Sequence, residues 1–168
     1  VIGNGNYVSA GTLPNPVHDA EEIAKALKAC GFDVTLVVNG NRKQMNEAIT
    51  TFGQKIISKK GTGMVYYAGH GVQSKGENYL IPVDARLKAD SDAETQAVAL
   101  EQVIASVAGA KKLRLVMLDA CRDNPFADKL KSSTRSAVPL SKGLTRVQSN
   151  SGTFIAFATQ PDAVASDG

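Results

Sequence analysis

Two kinds of apolar pattern alternate along this chain. Short continuous runs rich in Val, Leu and Ile predict buried strands, and longer stretches with apolar residues every three or four positions predict helices. Val1-Ile2 reads as the end of a first strand, followed over residues 3–15 by a loop rich in Gly, Asn and Pro. From Pro16 to Cys30, Ala20, Ile23, Ala24 and Leu27 share one helical face. Asn15 or Pro16 begins that helix, Asp19, Glu21 and Glu22 suit its positive N-terminal end, and Gly31 ends it. Phe32 to Val38 predicts a second strand. Asn41 to Lys59 predicts a second helix, with Met45, Ala48, Ile49, Phe52 and Ile56 on one stripe and Gly61 and Gly63 beyond it.

The short apolar run Met64 to Ala68 predicts a buried third strand. Val72 to Val83 predicts a hairpin that turns near Lys75-Gly76. Thr95 to Ala108, carrying Val98, Val103, Ile104 and Val107, predicts a third helix. Leu113 to Leu118 is the most apolar run and is expected to be a central strand. Residues 124–150 have no clear period and are rich in Ser, Lys and Arg, which predicts a long exposed loop. Gly152 to Ala158 predicts a further strand. Strands alternating with helices give an α/β fold with a mainly parallel sheet, read as a single domain over 1–168. The chain lacks an initiator Met and opens directly on a strand, so it is expected to be a fragment of a longer protein. Its compartment stays open, with bacterial cytoplasm and periplasm both allowed.

Composition narrows the function. The 168 residues carry a net charge of only +3, with no clustered basic face, few aromatics and no Trp, so nucleic acid is not expected as a partner. No run reaches the ~18 apolar residues of a membrane helix, so no membrane role is expected. Two cysteines, Cys30 and Cys121, do not make a disulfide framework. Cys30, inside an apolar helical pattern, reads as a small buried hydrophobe.

Cys121 has a different setting. Sites in open parallel sheets form at the carboxyl ends of strands. The third strand runs into Gly69-His70-Gly71, and the central strand runs into Asp119-Ala120-Cys121-Arg122. If those strands are neighbours, His70 and Cys121 share one sheet edge. A thiolate is the attacking form of cysteine, and a nearby imidazole can take the thiol proton and return it to a leaving amine. The Gly71 and Cys121 N–H groups are then candidates to donate to a developing oxyanion.

At these residues the chain resembles the caspase-like clan of cysteine peptidases. It is most similar to the metacaspase and paracaspase branches and their bacterial relatives. Tyr66-Tyr67-Ala68-Gly69-His70-Gly71 resembles the clan's histidine motif, and Leu118-Asp119-Ala120-Cys121-Arg122 its cysteine motif. Their separation is close to the ~50 residues noted for caspases. Val1-Ile2-Gly3-Asn4, Leu13-Pro14-Asn15-Pro16 and Phe157-Ala158-Thr159-Gln160-Pro161 are similar as well. The resemblance implies a three-layer caspase-like sandwich, helices flanking a mainly parallel sheet, and peptide-bond hydrolysis by a Cys121–His70 dyad. It also implies a departure in specificity. Asp119 stands where caspases carry Gln, Asp167 falls near the place of a binding Arg, and Asp19 matches an aspartate of the arginine-cutting branches. Such an acidic pocket suits a peptide or protein substrate with Arg, then Lys, before the scissile bond. Lys129, Lys131, Arg135, Lys142 and Arg146 make the 124–150 loop a candidate for self-cleavage, with a solvated linker as the alternative.

No cofactor is expected. Gly3-Asn4-Gly5-Asn6 lacks the glycine spacing and the Lys-Ser/Thr of a phosphate loop. Asp84, Asp90, Asp92 and Glu94 form an acidic patch without EF-hand spacing, so calcium activation is allowed but not favoured. Two functions stay open on one fold: an active peptidase, and a catalytically silent interaction or scaffold domain.

Overall fold

The structure, a computed structural model, describes residues 1–89, 91–121, 144 and 152–158. In chain order its elements are β1 (Ile2–Gly3), α1 (Pro16–Ala29), β2 (Val37–Val38), α2 (Arg42–Lys59), β3 (Gly63–Ser74), β4 (Glu77–Leu80), α3 (Ser91–Gln96), β5 (Val98–Ala99), α4 (Leu100–Val107), β6 (Arg114–Cys121) and β7 (Phe154–Phe157). Strands β2, β1, β3, β6 and β7 lie side by side in that order, and every neighbouring pair is parallel. The second half of β3 pairs antiparallel with β4, and β4 antiparallel with β5.

The period-two alternation of strand side chains builds the layers. Val65 and Tyr67 of β3 and Val116 and Leu118 of β6 join Met45 and Ile49 of α2 and Val103 and Val107 of α4 in one core. Met64, Tyr66 and Ala68, with Met117 of β6, pack instead against Ala20 and Ile23 of α1. Helices therefore cover both faces of a mostly parallel sheet, as the α/β pattern predicts. Each fully buried Val or Leu in these layers is worth about 1.5–3 kcal/mol against exposure.

Local signals account for several boundaries. Pro16 opens α1 at its first turn, where a missing N–H costs nothing. Asn41 caps α2 in a reciprocal box: its side chain accepts from the Gln44 N–H, and the Gln44 side chain accepts from the Asn41 N–H. Lys75 and Gly76 both have positive φ, 50° and 86°, and make the two-residue turn between β3 and β4.

Four expectations change. The second strand shrinks from 32–38 to Val37–Val38, because β2 is a sheet edge and its one partner, β1, supplies only two residues. The third strand grows from 64–68 to Gly63–Ser74, running straight through Gly69-His70-Gly71. The helix expected over 95–108 is interrupted: Val98 and Ala99 pair with Leu80 and Tyr79 as β5, and helix resumes at Leu100. The open edge of β4 offers backbone partners there, and β-branched Val98 fits that half-buried surface. Cys30 is exposed rather than buried, since it caps α1 one residue beyond the helix and leaves the packed stripe.

Candidate active site

Strands β3 and β6 run in register from Gly63 opposite Arg114 to His70 opposite Cys121. The two residues that carry reactive groups are thus Cα partners on adjacent parallel strands, whose backbones lie about 4.8 Å apart. They occupy the carboxyl edge of the sheet.

His70 is only 5% exposed and is held from several directions. Its backbone N–H donates to the Tyr7 hydroxyl at 2.8 Å, and its carbonyl accepts from the Tyr67 hydroxyl at 2.6 Å and from the Ile81 N–H at 3.0 Å. The Tyr7 ring lies 4.5 Å from the imidazole, centroid to centroid, tilted by 43°. Imidazole Nε2 sits 3.0 Å from the Gly11 carbonyl oxygen. A carbonyl only accepts, so Nε2 carries the proton of that bond and the basic lone pair is on Nδ1.

The hydrogen bond between Ile81 and His70 identifies their positions as a bonded pair of the antiparallel ladder. Gly71, opposite Leu80, is then a non-bonded position whose N–H turns away from β4, toward the side on which β6 lies. On the Gly71 α-carbon, an added Cβ would come within 2.8 Å of the Leu144 side chain, so glycine here lets Leu144 close down on the strand.

Asp119 lies two residues before Cys121 and opposite Ala68. The Tyr66 hydroxyl donates to its Oδ2 at 3.4 Å. Tyr66 is held well above the usual phenol range, first by burial, then by the negative charges of Asp119 and Asp19. The Tyr66 hydroxyl thus bonds Asp119 directly and feels the charge of Asp19, which comes from the first turn of α1. Asp167 lies outside the described residues, as does the 124–150 segment except Leu144.

Other candidates are absorbed by the scaffold. The buried Asn4 side chain accepts from the Gly40 N–H at 2.8 Å and donates to the Ile81 carbonyl at 3.1 Å. Asn39 Oδ1 accepts from the Gly5 and Asn6 N–H groups and fixes the start of the loop that carries Tyr7 and Gly11. Of the acidic patch, Asp84 accepts from the Arg42 N–H, Asp92 from the Lys88 and Ala89 N–H groups, and Glu94 pairs with Lys75. Asp90 lies outside the described residues. Sequence reasoning missed Tyr7 and Gly11 as neighbours of the site, and it gave Tyr66 and Tyr67 of the histidine motif no role of their own. The adjacent tyrosines of β3 carried the signal, because buried hydroxyls in an apolar strand need polar partners.

Comparison with known proteins agrees with this architecture. The family profile described as "Caspase domain" matches residues 1–168. Mucosa-associated lymphoid tissue lymphoma translocation protein 1 of Homo sapiens is 33% identical over 85 residues, 51% of this chain and 10% of that protein. Its homolog in Mus musculus is 32% identical over the same share. The chain thus spans about a tenth of the length of these curated relatives. The solved structure of pro-sf-caspase-1 superposes with a TM-score of 0.55 at 17% identity, covering 95% of this chain and 58% of that one, a likeness of fold.

Proposed function

Because the chain belongs to the caspase-domain family, we propose that it is a cysteine endopeptidase in which Cys121 attacks and His70 is the base. The observation that carries this reading is the register of β3 and β6, which makes His70 and Cys121 strand partners at the carboxyl edge of the sheet.

The chemistry follows from the tautomer. With Nε2–H bonded to the Gly11 carbonyl, Nδ1 takes the Cys121 thiol proton. The thiolate forms a C–S bond to the scissile carbonyl carbon, and the oxygen gains the negative charge. The Gly71 and Cys121 N–H groups donate to it, each such donor typically worth ~2.7–4 kcal/mol in the transition state. Collapse of the intermediate breaks the C–N bond, and the imidazolium gives its proton to the leaving amine. Water, deprotonated by the same imidazole, then hydrolyses the thioester and restores the thiol.

The substrate carries Arg, then Lys, before the scissile bond. Asp119 and Asp19 support this, because one carboxylate bonded to the Tyr66 hydroxyl and a second whose charge acts on it favour a cation and repel an anion. The resemblance to the caspase-like clan adds Asp167 to the acidic residues expected to select the substrate. A guanidinium can bind a carboxylate with two parallel hydrogen bonds, whereas an ammonium acts as a point charge. The basic segment of 124–150 suits cleavage by the same enzyme.

Fluorogenic peptides that differ only in Arg, Lys or Asp before the scissile bond test both parts, with Cys121→Ala as control and calcium as a variable. Arg cleavage lost in Cys121→Ala is expected. Cleavage after Asp would overturn the pocket, and a folded chain inert to all peptides would favour the silent scaffold domain.

A further inference from the structure

The hydroxyls of Tyr7 and Tyr67 meet 3.5 Å apart over the backbone of Gly69. They come from distant parts of the chain, Tyr7 from the loop after β1 and Tyr67 from β3 itself. Both side chains are buried, at 8% and 0% exposure. Each tyrosine has one hydroxyl proton. Tyr67 commits its proton to a carbonyl, 2.6 Å from that of His70 and 3.2 Å from that of Ile81. Tyr7 accepts the His70 N–H at 2.8 Å, and its hydroxyl lies 3.5 Å from the Tyr67 oxygen. The result is a closed circuit: His70 N–H to Tyr7, Tyr7 to Tyr67, Tyr67 to the His70 carbonyl.

Gly69 is shaped by this circuit. Its φ is +149°, and a Cβ there would stand 2.5 Å from the Tyr7 hydroxyl and 2.8 Å from that of Tyr67. The missing side chain is what admits the two hydroxyls. The same loop brings the Gly11 carbonyl to Nε2, and the Tyr7 ring lies against the imidazole. One loop therefore fixes the backbone, the ring plane and the tautomer of His70 together.

We propose that Tyr7 and Tyr67, meeting over Gly69, are positioning residues that clasp the backbone of His70 and hold its imidazole in the Nε2–H tautomer. This rests on the reading of His70 as base to Cys121, which it deepens. Their hydroxyls bond the backbone of His70. Their effect passes through the orientation of one ring, and misplacement of a reacting group by about 1 Å typically costs up to 100-fold in rate.

The test uses the intact chain with Tyr7→Phe, Tyr67→Phe and, as a control, Tyr79→Phe, a buried tyrosine whose hydroxyl bonds Glu77 instead. The chain has two histidines, so His18→Gln leaves His70 as the sole imidazole for nitrogen NMR. Cys30→Ser leaves Cys121 as the sole thiol for alkylation by iodoacetamide across pH. The starting chain is expected to show the Nε2–H tautomer and a Cys121 reactivity that depends on His70. Tyr7→Phe is expected to mix the tautomers, move the alkylation profile toward that of an ordinary thiol and lower kcat by about 10- to 100-fold with little change in KM. Tyr67→Phe is expected to act in the same direction, and Tyr79→Phe to leave all three readouts unchanged. An unchanged tautomer and alkylation profile in both Tyr7→Phe and Tyr67→Phe would overturn the proposal, as would an equal effect of Tyr79→Phe. Failure of the dyad itself is separately visible: Cys121 would then react as an ordinary thiol even with every tyrosine in place.

Discussion

From Gly63 to Ala68, β3 is flanked by β6 along its whole length and by β1 at its end, and its side chains enter two apolar layers in turn. At Gly69 and His70 its parallel pairing with β6 comes to an end and two tyrosine hydroxyls hold the His70 backbone, and from Gly71 to Ser74 it takes β4 as its antiparallel partner. The first half needs residues of roughly the right volume and polarity, and cores tolerate such exchanges at modest cost. The second half needs particular atoms: a glycine where two hydroxyls enter, and an imidazole with a carbonyl at one nitrogen. Apart from Tyr66 and Tyr67, whose hydroxyls reach Asp119 and the His70 carbonyl, substitutions in the first half should therefore act on stability, and those in the second on chemistry.

The sharpest way to break that distinction is His70→Ala. It should lower peptide turnover by about 10²- to 10⁴-fold while the thermal midpoint barely moves, as activity assay and calorimetry together would show. A large fall in the midpoint would mean that His70 is a structural residue. Val65→Ala, in the first half, should do the reverse. Losing two buried methyl groups at ~0.8 kcal/mol each, plus a small cavity, gives a destabilisation of about 2 kcal/mol by urea unfolding. Its kcat at low temperature should stay within about twofold of the starting chain.

The smallest effect is on alkaline titration. Burial, then Glu77, raises Tyr79 to about 12, and burial with Asp119 and Asp19 raises Tyr66 beyond the usual range. A phenol raised in the folded state contributes stability that is fully present below its unfolded value, about 10. That contribution is lost as pH rises through the folded value. Ultraviolet titration should thus show late phenolate from both residues and falling stability above about pH 10. Tyr66→Phe should remove one late component and weaken binding of Arg peptides, since Asp119 loses a donor.

The sequence made the scaffold legible where local chemistry decides it. The apolar stripes of α1 and α2, the bounds of α2 near Asn41 and Lys59, and the Lys75-Gly76 turn are all short-range signals. It also placed Cys121 at a strand end, while the run of β3 on through His70 and the sheet order, with β6 beside β3, were missing from that view. The interruption of helix by Val98-Ala99 was not legible, because it depends on the open edge of β4. The clasp over Gly69 escaped for the same reason: Tyr7 and Tyr67 lie 60 positions apart in the chain. In sequence, the glycine that admits both hydroxyls stands only as one residue of the histidine motif.

The most direct test is uptake of a peptidyl-arginine electrophile, with the adduct mapped by mass spectrometry. The account predicts a single adduct on Cys121, lost in His70→Ala and weakened by Asp119→Asn and Asp19→Asn, with none from the matching peptidyl-aspartate compound. Labelling of the exposed Cys30 alone, or no labelling of a folded chain, would contradict it.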